Sequence, residues 1–201
     1  RGALRRQDAF YCFSILSSIG FILVLFTNRE TILLSFGAVS LVAIYPFMKR
    51  YTNLPQLVLG VAFSWGILMA FTAQTSVIPQ PAYLLFVGNA LWTVAYDTQY
   101  AMVDREFDIE IGVKSTAILF GDMDKAIIAL LQMMFIVSIW LAGRQLEMGI
   151  TYYASLLIAC GLLGYQQYLI RNRRPGPCFT AFLNNNWVGA IIFTGIFINY
   201  L

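Results

Sequence analysis

The chain has 201 residues, of which 59% are hydrophobic and 11% charged, and its mean hydropathy is +0.71; a soluble domain carries about a quarter charged residues. It has no His, and Cys12, Cys160 and Cys178 are isolated with no CxxC pair, which argues against a zinc site, haem attachment or a His-based triad. The formal net charge of +3 comes from bases spread over several loops and makes no case for nucleic acid.

Seven apolar stretches, roughly residues 9–26, 31–48, 54–73, 82–96, 123–142, 150–170 and 182–201, each approach the length a transmembrane helix needs. The fold class is therefore all-α, a multi-spanning transmembrane bundle of about seven helices in the lipid bilayer. A single domain covers residues 1–201, with no recognisable repeat. If the stretches alternate sides, one side receives Arg1, Arg5, Arg6, Lys49, Arg50, Arg105, Lys114, Lys125, Arg171, Arg173 and Arg174, and the other only Arg29 and Arg144. That asymmetry follows the positive-inside rule and places the N-terminus and the Lys49-Arg50 loop in the cytoplasm. The chain opens on a basic polar run without Met and offers no signal peptide to read; it is expected to begin inside a longer protein.

The first stretch closes in the Thr27-Asn28-Arg29-Glu30 turn, and the second ends in Tyr45-Pro46-Phe47-Met48-Lys49-Arg50-Tyr51. There Lys49 reads as a base snorkelling from an aromatic belt. Arg50 leans towards a functional role, because a guanidinium suits bidentate phosphate or carboxylate recognition. Gly60, Ser64 and Gly66 in the third stretch read as small residues for close helix packing. Asn89, in the fourth, is expected to make an interhelical hydrogen bond. Further on, Arg171–Pro177 reads as a basic, proline-bearing loop that sets topology, and Asn184-Asn185-Asn186 as a capped or hydrated helix entrance, with substrate contact as the alternative.

One segment breaks this pattern. Tyr96 to Gly121 reads YDTQYAMVDREFDIEIGVKSTAILFG and holds five carboxylates within fourteen residues: Asp97, Asp104, Glu106, Asp108 and Glu110. At about 100° per residue, Asp104 and Asp108 both fall within about 20° of Asp97, while Glu106 and Glu110 fall about 180° and 220° away. A helix with an acidic stripe and a solvated back is predicted, ended by Gly112. Like charges at this spacing repel and invite a cation; Mg²⁺ is usually held by one or two carboxylates plus phosphate oxygens. Lys114, Ser115 and Thr116 adjoin the stripe and can supply a cation and hydroxyls to a phosphate. A solvated acidic loop between two membrane helices is the alternative.

The same 26-residue segment closely resembles the second aspartate-rich motif of the UbiA-type intramembrane prenyltransferases, and most of all the bacterial branch that prenylates 4-hydroxybenzoate in ubiquinone biosynthesis. YPFMKRYTNLPQ (residues 45–56) and FLNNNWVG (residues 182–189) are similar to that branch too, so the resemblance covers nearly the whole chain. It implies a bundle of nine spans in the bacterial inner membrane, with a polyprenyl diphosphate bound in a central cavity through Mg²⁺ held between two Asp-rich motifs. Carried over by position, Asp104 and Asp108 are metal ligands and catalytic with Asp97. Arg50, Lys114 and Tyr100 are substrate contacts. The reaction implied is Mg²⁺-assisted ionisation of the diphosphate, then electrophilic substitution on the 4-hydroxybenzoate ring. No obligate protein partner is evident.

Two departures from the family pattern stand out. Phe107 occupies a position where this branch usually has a further acidic residue, off the Asp97/Asp104/Asp108 face. The first motif, NDxxDxxxD, is absent and is expected on a helix before Arg1, two of nine spans being missing; 201 residues alone would then transfer no prenyl group. A related enzyme with a naphthoate or homogentisate acceptor is one competing reading. A seven-helix transporter or receptor with a cation-binding cytoplasmic loop is another, although a transporter would carry its ionisable residues near mid-membrane.

Overall fold

The computed structural model describes residues 5–201, without the side chains of Arg6 and Lys49; the reading of Lys49 as a snorkelling base therefore lies outside the described residues. The described chain is helical throughout, in the order α1 (Arg6–Leu25), α2 (Arg29–Tyr51), α3 (Pro55–Thr75), α4 (Gln80–Ile111), α5 (Thr116–Phe120), a 3₁₀ turn (Gly121–Met123), α6 (Asp124–Gln145), α7 (Ile150–Ile170) and α8 (Pro175–Asn199). Seven of these helices are long. Six regions are long and apolar enough to cross a membrane, and α4 is the long helix that misses this threshold. Asn89, Thr93, Asp97 and Gln99 dilute its apolar character, and its neighbours explain how it tolerates them: α3, α6 and α8 all pack against it. A central helix of a bundle can carry polar groups that a lipid-facing helix cannot.

α4 has 32 residues, or about 48 Å at 1.5 Å per residue, some 18 Å more than a hydrocarbon layer of about 30 Å. Its acidic C-terminal turns therefore project past the layer, where carboxylates can be hydrated. Gly112 ends it in the left-handed region at φ 71°, and the Val113 amide closes the turn on the Asp108 carbonyl at 2.9 Å, as the sequence predicted. Close approach of α3 depends on glycine too: a β-carbon at Gly60 would lie 2.8 Å from the Ala90 carbonyl oxygen. The packing reading of Gly60 and Ser64 is met, and Ser64 also accepts a 3.0 Å hydrogen bond from the Asn89 amide. That is the interhelical bond expected of Asn89.

Two apolar clusters fill the half built from α4, α6, α7 and α8. One centres on Ala95, Met102, Ile128, Ile170 and Cys178, the other on Phe135, Ile139, Tyr152, Leu163 and Val188. Between them lies a layer of amides. Gln99 and Gln132 donate to Gln166 at 3.0 and 2.8 Å; Gln167 donates to Gln132 at 2.8 Å, and Gln166 to Asn184 at 3.1 Å. Asn185 donates to Gln99 at 3.1 Å and accepts from the Trp92 indole at 2.8 Å. The expectation for Asn184–Asn186 is thereby corrected. α8 begins at Pro175, so these residues lie in its third turn, where Asn184 and Asn185 satisfy amides of α4 and α7.

Candidate active site

α4 runs between two features that meet along its length. Towards its middle, Asn89, Trp92 and Tyr96 line an open cavity of about 790 Å³, with α2, α3 and α8 forming its other walls. Asn185 and Asn186 give this wall polar groups, and Phe63, Trp65 and Phe182 make it otherwise aromatic. Towards its end stand the carboxylates. Asp97, Asp104 and Asp108 are half-buried while Glu106 and Glu110 are exposed, which is the division into an inward stripe and a solvated back that the helical wheel requires. Asp97 adjoins the cavity-lining Tyr96 and lies within electrostatic range of it and of Tyr45 on α2. Sequence reasoning passed over Tyr45; its place in the quoted segment 45–56 was the available signal.

Along the axis Asp97 stands about 10 Å from Asp104, and Asp104 about 6 Å from Asp108. Among the described residues, no group of three His, Cys, Asp or Glu side chains converges to hold a metal by itself. The remaining predicted residues are placed as follows. Arg50 is exposed near the end of α2, and Lys114 is exposed in the connector after α4. Tyr100 is 39% exposed and its ring packs on Phe179 and Phe182 of α8, with centroids 6.3 and 5.1 Å away. It thus contributes to the α4–α8 contact.

The connector is sewn to the bundle. Thr116 shares a 2.7 Å hydroxyl hydrogen bond with Thr98 of α4, and its amide donates to Gln56 of α3 at 3.2 Å. Ser115, next to Lys114, is buried, and its hydroxyl oxygen has no hydrogen-bond partner among the described residues. Such a group calls for a ligand oxygen or a water.

A second set of charges was missed. Asp124, the first residue of α6, is 0% exposed. Arg173 grips it: Nε donates to both carboxylate oxygens at 3.1 and 2.9 Å, and a terminal nitrogen donates to Oδ1 at 2.9 Å. A terminal nitrogen of Arg105, on α4, lies 3.6 Å from Oδ2. The bond to Asp124 raises the Arg173 pKa above its ordinary range, with burial opposing. The sequence reading of 171–177 as a loop is corrected in its extent, since α8 starts at Pro175, and within that loop Arg173 holds a buried partner.

Residues 1–193 match the UbiA prenyltransferase family. The chain belongs to that family. Among its relatives, the 4-hydroxybenzoate octaprenyltransferase of Saccharophagus degradans is 56% identical over all of this chain and 67% of its own length. That of Ectopseudomonas mendocina is 54% identical, over 99% of this chain and 67% of the relative, and that of Hahella chejuensis 54%, over 97% and 65%. The chain thus spans about two thirds of the length of these UbiA relatives. The fold is that of the family as well: an apo UbiA homologue from Aeropyrum pernix superposes with a TM-score of 0.85 at 22% identity, covering all of this chain and 75% of the other. A digeranylgeranylglyceryl phosphate synthase superposes with a TM-score of 0.77 at 18% identity, covering 98% and 71%.

Proposed function

We propose that the full-length protein transfers a polyprenyl group from polyprenyl diphosphate to the ring of 4-hydroxybenzoate in ubiquinone biosynthesis. The observation that carries this reading is the junction on α4 of a half-buried carboxylate stripe with a cavity of about 790 Å³. The relatives at 50–56% identity are named for this acceptor and for an octaprenyl donor.

Asp104 and Asp108 would hold Mg²⁺. Two carboxylates from one helix are too few for an all-protein cage, but they match the one or two that Mg²⁺ takes when diphosphate oxygens supply the rest. The unpartnered Ser115 hydroxyl beside Lys114 suits a phosphate oxygen. When bound, the metal supplies neutralisation of the charge developing on the leaving diphosphate. Lys114 contacts the diphosphate, and Arg50 the diphosphate or the benzoate carboxylate. Trp92, Phe63 and Phe182 surround the isoprenoid and exclude water from the allylic carbon, where hydrolysis would compete.

The allylic C–O bond breaks with its electron pair leaving on the diphosphate, and the ring carbon ortho to the phenol hydroxyl forms the new C–C bond. Asp97, the stripe member beside the cavity, accepts the ring proton as aromaticity returns. The distribution of basic residues supports a cytoplasmic acidic end, and in a bacterium that is the inner face of the inner membrane.

The test uses membranes containing the full-length protein, 4-hydroxybenzoate, a polyprenyl diphosphate and Mg²⁺. Asp104→Ala with Asp108→Ala removes several kcal/mol of transition-state stabilisation, so turnover should fall by at least about 10²–10³-fold. Transfer that survives the double change would refute the metal assignment. Preference for a naphthoate or homogentisate over 4-hydroxybenzoate would move the acceptor assignment and leave the rest.

A further inference from the structure

The proposed reaction does not use Asp124. It faces a separate cavity of about 270 Å³ together with Arg105, Glu106, Arg173 and Pro175. Arg173 reaches it from a backbone in the left-handed region, at φ 52°, a conformation that a non-glycine residue keeps only where its surroundings over-determine it. Its terminal nitrogen also donates to the Asp122 carbonyl at 2.8 Å, so the loop before α8 is shaped around this carboxylate.

Stability alone is a poor reason for the cluster, because well-packed apolar residues often replace a buried ion pair without loss. What an apolar core would not do is direct Arg105. This arginine directly follows Asp104 and precedes Asp108 by three residues, the spacing at which an arginine and a carboxylate meet on a helix surface. Instead its guanidinium lies 3.6 Å from Asp124.

We propose that Asp124, held by Arg173, is a positioning residue: it draws the Arg105 guanidinium away from the Asp104/Asp108 face, where it would compete with a divalent cation. This rests on the reading of Asp104 and Asp108 as the metal pair.

The test is Mn²⁺ binding, followed by electron paramagnetic resonance with inorganic pyrophosphate present, on the detergent-solubilised full-length protein. Asp124→Asn should weaken Mn²⁺ binding by about tenfold, the scale of loss when a supporting residue of a metal site is removed. Arg105→Gln alone should leave it within about twofold, and Arg105→Gln added to Asp124→Asn should restore it to that range. Asp124→Glu, which keeps the carboxylate, should bind like the parent. If Asp124→Asn does not fold, Asp124→Leu with Arg173→Met replaces the pair by apolar groups and carries the same expectation, rescue by Arg105→Gln included.

Unchanged Mn²⁺ binding in a folded Asp124 variant overturns the proposal, as does a loss that Arg105→Gln does not repair. A parent protein that binds Mn²⁺ no better than its Asp104→Asn/Asp108→Asn variant overturns the metal reading itself, which separates the two failures.

Discussion

Two sets of carboxylates stand at the same end of this bundle under opposite constraints. Asp97, Asp104 and Asp108 line one face of α4, half-buried and spaced along the axis. Asp124 is fully buried and held by one arginine through three hydrogen bonds, with a second arginine at 3.6 Å. The first set keeps like charges in register, at an electrostatic cost that a cation would relieve. The second is a buried carboxylate with Arg173 and Arg105 around it. Like charges in register along a helix mark a face that a cation would stabilise further, and a buried carboxylate gripped by arginine one that is costly to disturb.

The largest way to test that contrast is to remove one partner from the buried set. Arg173→Ala leaves Asp124 buried with Arg105 at 3.6 Å and the Lys125 amide at 2.7 Å as its partners among the described residues, and stripping a partner from a buried pair costs about 3–5 kcal/mol. Denaturant titration in micelles should show a loss of about 3 kcal/mol, towards the lower end because Arg105 remains. Asp104→Ala with Asp108→Ala, which under the proposed reaction lowers turnover by at least about 10²–10³-fold, should cost much less stability, since both carboxylates are only half-buried. A double variant as unstable as Arg173→Ala would erase the distinction between the two sets.

A smaller effect is expected in the amide layer, which pairs polar groups without charge. Gln166 accepts from Gln99 and Gln132 and donates to Asn184. Gln166→Leu leaves those amides short of partners inside the bundle, at about 2 kcal/mol on the scale of interhelical hydrogen bonds. Mn²⁺ binding should be untouched, which would place the layer with the packing of the core.

The response to pH should be smaller still. The Arg173 pKa is raised, chiefly by its bond to Asp124. A group with a raised folded pKa stabilises fully below its unfolded value and loses that contribution only as pH climbs through the raised one. Both lie well above the ordinary working range of pH. The stability gap between the parent and Arg173→Ala should therefore stay constant from about pH 6 to pH 10; a gap that closes within that window would mean that Arg173 is not the group responsible.

The helices, the Gly112 cap and the acidic stripe were legible because each depends on local chemistry: an apolar run, a residue suited to the left-handed region, a period near 3.6. The Asp124–Arg173 pair was not, because its members are 49 residues apart and only the packing of α6 beside the loop before α8 joins them. Asn184–Asn186 failed for a related reason. Polar residues near the expected start of a span suggest a hydrated end, and only the earlier start of α8, with Pro175 as its first residue, moves Asn184 and Asn185 into the interior. Periodicity finds what a single helix does with its own residues. Pairing across helices is settled by partners that it cannot name.

The smallest expected effect sharpens the comparison from the other direction. Glu106 and Glu110 belong to the same acidic run as Asp104 and Asp108, yet both are exposed and fall about 180° and 220° around α4 from Asp97. If acidity of the segment as a whole drew the cation, neutralising them would weaken Mn²⁺ binding much as neutralising the stripe does. If the face matters, Glu106→Gln with Glu110→Gln should change stability by no more than about 0.5 kcal/mol, the usual scale for exposed positions. The residual effect on Mn²⁺ should then be that of distant charges in water, and should vanish when ionic strength is raised and the Debye length falls to a few ångströms. A loss that persists at high salt would mean that the back of α4 also coordinates the cation, and the division of this helix into a binding face and a solvated one would fail.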